Sequence, residues 1–83
     1  KIAAFKQLLI SAKNNVLNDG GQVIANEGLT IQSLDKAIEN INTGTIQSGA
    51  ALTLQSGSLV NTGTIKGLGQ LIAKINQLKK LSK

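Results

Sequence analysis

Eighty-three residues with 41% hydrophobic side chains make one small domain, and a chain of this size buries roughly 60–65% of its unfolded surface. The formal charge is +5, with no His, Cys, Met, Trp, Tyr or Pro and one aromatic residue, Phe5. That composition excludes disulfides and thiol chemistry, withholds the commonest general base and metal ligand, and requires an aliphatic core.

The chain opens on an amphipathic stretch. Ile2, Phe5, Leu8, Leu9 and Ala12 recur at helical spacing, bordered by Lys6 and Lys13. The spacing predicts a helix within residues 1–15, with Ile2, Phe5 and Leu9 as its packing face, acting as a cap or a pairing surface. The opening KIAAFKQ also looks like the heptads of designed coil peptides, which allows an engineered cap. The apolar run Leu8-Leu9-Ile10 is far too short for a signal-peptide core or a membrane span. With Lys1 as its first residue, the sequence reads as an excised piece of a longer protein or as a chain with its start removed; an exported parent would carry its signal elsewhere.

Residues 16–67 repeat themselves. Asn42-x-Gly44-x-Ile46 matches Asn61-x-Gly63-x-Ile65 letter for letter, and VLNDGGQVIANEGLTI at 16–31 is a looser copy with one extra residue after Asn18. Val23, Ile46 and Ile65 are 23 and then 19 residues apart, and Leu29 to Leu52 and Ile31 to Leu54 are also 23. Self-similarity at this period marks a stacked architecture. Leu29-Thr30-Ile31-Gln32 and Leu52-Thr53-Leu54-Gln55 alternate apolar and polar, as half-buried strands do. Gly44, Gly49, Gly57, Gly63 and Gly67 punctuate them as corners. The expected inward stack is Val23, Leu29, Ile31, Ile46, Leu52, Leu54 and Ile65, with Asn18, Asn42 and Asn61 as a ladder bonding backbone at the bends. The four surplus residues are expected in one insertion, SLDKAIEN at 33–40, where Leu34, Ala37, Ile38 and Ile41 suggest a helical turn.

The pattern L-x-N-x-G-x-I, six residues, then L-x-L, resembles the filamentous-haemagglutinin repeat of two-partner-secreted bacterial exoproteins. The matched positions are Asn42, Gly44, Ile46, Leu52 and Leu54, then Leu59, Asn61, Gly63 and Ile65, with the second strand of the last copy missing. The resemblance implies a right-handed parallel β-helix, a shaft-forming role in adhesins or contact-dependent inhibition proteins, a secreted or cell-surface location, and no catalytic residues.

Residues 68–83 depart from the repeat. Leu68, Leu71, Ile75 and Leu78 step by three and four, the a/d seam of a two-heptad coil, with Lys79, Lys80 and Lys83 in its last turn. This predicts a second amphipathic helix, and a short solenoid needs covered ends. The expected fold is therefore mainly β, a parallel solenoid of two to three coils with amphipathic helices at both ends.

Eight of the nine Lys lie at 1–13 or 66–83, and the four acids Asp19, Glu27, Asp35 and Glu39 lie between. Basic ends suit anionic lipid or nucleic acid, yet no Arg or aromatic platform is present to read bases, so specific nucleic-acid binding is not expected and membrane contact is not favoured. Asp35 and Glu39 fall four apart but flank Lys36, as a solvated surface does. Asn18-Asp19-Gly20-Gly21 lacks the order of calcium-binding glycine repeats, and Gly67-x-Gly69 lacks the third Gly of a phosphate cradle. The sequence thus points to a non-enzymatic structural module with no cofactor, metal or catalytic residue. Its expected partners are neighbouring repeats of a longer chain, or further copies joined through end helices or sheet edges. The alternatives are a cationic membrane-active or helix-pairing protein working through its end helices, and an engineered capped solenoid.

Overall fold

A computed structural model describes residues 2–33 and 36–80, with side chains as far as Ile75 in the last strand. The chain winds as a parallel β-solenoid in which three turns join four rungs. The first rung is β1 (Ile2–Ala4), β2 (Gln7–Ala12) and β3 (Val16–Asp19). The second is β4 (Gln22–Ala25), β5 (Gly28–Ser33) and β6 (Ala37–Ile41). The third is β7 (Thr45–Ser48) with the long β8 (Ala51–Asn61), and the fourth is β9 (Thr64–Gly67) with β10 (Gln70–Lys80).

One face of the solenoid is the sheet β1-β4-β7-β9. The other two share β8 and β10. The first half of β8 pairs with β5, and its second half, from Ser58, pairs with β6. Every pairing is parallel and in register, so like positions form columns. Ile2, Val23, Ile46 and Ile65 form one; Leu8, Leu29, Leu52 and Leu71 a second; Ile10, Ile31, Leu54 and Ala73 a third. A fourth column is Val16, Ile38 and Leu59. Side chains alternate between core and solvent along each strand, as in β5, where Leu29, Ile31 and Ser33 point inward. Burying one Leu or Ile in such a column contributes about 1.5–3 kcal/mol. The core cluster is Val23, Ala25, Leu29, Ile31, Ile38, Ile46, Leu52, Leu54 and Leu59, with Ile65 packed against it.

Strands replace the helices expected at both ends, and the described residues contain no helix. The reason is backbone hydrogen bonding. An edge strand presents a row of unpaired N–H and C=O groups, and a strand in register satisfies that row where a helix cannot. Residues Gln7–Ala12 match Gly28–Ser33 one for one, and Gln70–Lys80 run beside Ala51–Asn61. The helical packing faces dissolve accordingly. Ile2, Phe5, Leu9, Leu68 and Leu71 are exposed, and Ile75 is half-buried beside the core. Leu78 stands in register with Leu59, its side chain outside the described residues. Lys1, Lys83 and the predicted contributions of Leu34 and Asp35 also lie outside the described residues.

The second half of the insertion is a strand too. Residues Ala37–Ile41 form β6, and Ile38 is fully buried. The four surplus residues divide between two corners. Three residues separate Ser33 from Ala37 where one separates Ser56 from Ser58, and Asn40 precedes Ile46 by six where Asn61 precedes Ile65 by four. The last copy keeps its second strand as well: Leu71 and Ala73 follow Ile65 as Leu52 and Leu54 follow Ile46.

Candidate functional site

The most developed polar feature lies inside the solenoid, at the corner between its third and first faces. Asn18, Asn40 and Asn61 occupy one column and are all buried, Asn40 completely. The Asn18 amide donates to Asn40 Oδ1 at 2.7 Å, and the Asn40 amide donates to Asn61 Oδ1 at 2.9 Å. The same amides turn the chain. Asn18 Nδ2 also donates to the carbonyls of Gly21 (3.0 Å) and Thr45 (3.3 Å), and Asn40 Nδ2 to those of Gly44 (2.9 Å) and Thr64 (3.0 Å). Asn61 Oδ1 accepts the Gly63 N–H at 3.1 Å. The Asn18 and Asn40 amides thus tie their own corners to the rung above. A buried polar column survives only when satisfied in this way.

The middle member is Asn40, where the repeated letters point to Asn42. Asn42 sits outside the column, exposed, with φ of 52°, its amide donating to Asp19 Oδ1 at 2.7 Å. The letter match aligns the end of the corner and the strand after it, Ile46 with Ile65, and misses the strand before it, where Asn40 pairs with Asn61. The corner after Asn40 holds two more residues than the corner after Asn61, and Asn42-Thr43 fills the excess by turning through the left-handed region. None of the expected corner glycines Gly44, Gly49, Gly57, Gly63 and Gly67 has a positive φ; that conformation falls to Gly20, at 71°. Gly63 is needed for another reason: a Cβ there would lie 2.2 Å from the Gly44 carbonyl oxygen of the rung beneath.

The expected inward stack is placed as follows. Val23, Leu29, Ile31, Ile46, Leu52 and Leu54 are buried, and Ile65 is half-buried on the last rung. The stack also contains Ile38 and Leu59, which the reading of two strands per repeat left out; the apolar pair spaced two before each column Asn, Ile38 to Asn40 and Leu59 to Asn61, was the available signal.

The outer surface carries one groove of interest, about 500 Å³, over Gly28 and Ala51 and flanked by Gln7, Leu9, Thr30 and Thr53. Its lining holds no acid, base or thiol. Among the described residues no three Asp or Glu side chains gather around a point where a metal ion would sit. The remaining candidate surfaces are the two terminal edges, β1–β2–β3 below and β9–β10 above. They carry all the exposed large hydrophobic residues of the described chain: Ile2, Phe5, Leu9 and Leu17 on the first rung, Leu68 and Leu71 on the last. No protein-family model matches the chain, and no curated protein or solved structure matches it.

Proposed function

We propose that this chain is a non-catalytic structural segment of a β-solenoid shaft, of the kind built by secreted or surface-displayed bacterial adhesins and exoproteins with filamentous-haemagglutinin repeats. The observation that carries the reading is the set of columns running unbroken through all four rungs and opening at both terminal edges. Such a body transmits length and stiffness, because the strands of each rung hydrogen-bond to those of the next. Its function is mechanical spacing, with neighbouring rungs as its partners and no cofactor. The coil is right-handed in this reading, as the repeat resemblance implies. The membrane-active and helix-pairing alternatives required amphipathic end helices, and strands stand in their place.

The test is accessibility on producing cells. Antibody raised against the chain should label intact, unpermeabilised cells or detect it in culture fluid, and external protease should remove the label. Confinement of the chain to the cytosol would overturn the shaft reading.

A further inference from the structure

The two terminal rungs match each other. Taking the chain as a shaft segment, we infer that the partner of each edge is a rung with this chain's own spacing, and that isolated chains stack head to tail, the last rung of one copy against the first rung of a second. Inward positions on the first rung are Ile2, Leu8 and Ile10, at steps of six and two; on the last rung they are Ile65, Leu71 and Ala73, at the same steps. Set one turn apart, these strands continue every column on two faces without a slip in register.

The outer surface supplies an independent match. The corner between the first two faces has the same length in all four rungs, fixed by strand register on both sides. Its column reads Phe5, Asn26, Gly49, Leu68. On the adjoining face the outward column reads Leu9, Thr30, Thr53, Ile72. In both columns the middle rungs are polar or glycine and both terminal rungs are large and apolar. Phe5 is 82% exposed, Leu68 59% and Leu9 65% in the single chain. Head-to-tail stacking sets Leu68 beside the second copy's Phe5 and Ile72 beside its Leu9, two cross-strand apolar pairs on the outside of the junction. An edge-to-edge contact between two like ends pairs neither.

Charge regulates the junction. Lys66, Lys74, Lys79 and Lys80 stand on the last rung and Lys6 and Lys13 on the first, so stacking brings like charges together. In register Lys66 faces Ala3 and Lys74 faces Ser11, with no lysine directly on another. Association is therefore weak in dilute salt and strengthens as salt screens the lysines. A heterologous contact of this kind does not close on itself and grows into rods, each copy adding four rungs or about 19 Å at strand spacing.

Sedimentation velocity of the full chain across concentration and salt tests this, with Phe5→Lys and Leu68→Lys as blocks of the lower and upper edge. Both sites are exposed, and circular dichroism checks that each variant folds; Leu9→Lys and Ile72→Lys supply the same two blocks one face along. The expected result is salt-promoted elongated oligomers for the unmodified chain, monomers for either variant alone, and a dimer that grows no further when the two are mixed. An unmodified chain that stays monomeric at high concentration and salt would overturn the inference, as would a single variant that assembles like the parent or a mixture that stays monomeric. A monomeric chain that is nonetheless displayed on producing cells sinks this inference and leaves the shaft reading standing.

Discussion

Replacing Asn40 with alanine tests the interior column most sharply, because a reading by letters alone assigns its role to Asn42. The Asn40 amide shares its two N–H groups among three acceptors, and its oxygen receives the Asn18 amide. Several partners keep a second bond after the loss: Asn18 still reaches Gly21, the Gly44 carbonyl still accepts the Thr64 N–H, and Asn61 Oδ1 still accepts from Gly63. Two donated bonds and one accepted bond, at about 1 kcal/mol net each and eased by that sharing, put the cost at about 2–3 kcal/mol. A chain of this length has a total stability of about 4–12 kcal/mol, so the change removes a large part of it. Asn42→Ala loses one exposed bond to Asp19 and some tolerance of positive φ, which together cost under about 1 kcal/mol. Urea unfolding followed by circular dichroism reads the difference. With a slope of about 1–1.5 kcal/mol/M, the Asn40→Ala midpoint should fall by about 2 M and the Asn42→Ala midpoint by well under 1 M. Equal losses, or a larger loss at Asn42, would refute the column as described.

Asn40→Asp keeps the shape of the column but turns a carboxylate toward the Gly44 and Thr64 carbonyls and Asn61 Oδ1. That environment raises the carboxyl pKa in the folded state, so the variant should hold its stability below about pH 4 and lose it as pH rises through the folded value; pH-dependent melting checks the sign. Ile46→Asp puts an unpaired charge at a fully buried site between Val23 and Ile65 and should cost about 3–5 kcal/mol, enough to unfold the chain or leave it marginal by circular dichroism. Gly63→Ala drives a methyl into the Gly44 backbone and should destabilise by about 2 kcal/mol or more, whereas Gly28→Ala meets only the Gln7 side chain at 3.7 Å and should be neutral or stabilising by up to about 1 kcal/mol; thermal melts of the pair decide.

The middle of the fold was readable because its letters carry two signals at once. In Leu29-Thr30-Ile31 and Leu52-Thr53-Leu54 the alternation marks strands, and the shared distance from Val23 and Ile46 marks their stacking. The ends carry the same distances, but their outward positions are apolar. Leu9 between Leu8 and Ile10, and Ile72 between Leu71 and Ala73, break the alternation and fill out a helical stripe. Those outward residues belong to terminal rungs, where the demands on the surface differ from those on an inner rung. The interior column was misplaced by one member for a different reason. Corner length varies from rung to rung, and a match that begins at a corner glycine counts back a fixed number of residues. Counting from the buried Ile38 and Leu59 instead reaches Asn40 and Asn61 directly. A letter match therefore registers strands reliably only when it is anchored on inward-facing residues.

The central claim is that one in-register column runs from Leu8 through Leu29 and Leu52 to Leu71, with strand in place of helix at both ends. Backbone NMR tests it most directly. The account predicts strand-type chemical shifts for residues 7–12 and 70–75 and inter-rung backbone contacts from Leu8 to Leu29 and from Leu52 to Leu71. Helical shifts in either segment, with sequential amide–amide contacts in place of those between rungs, would contradict it.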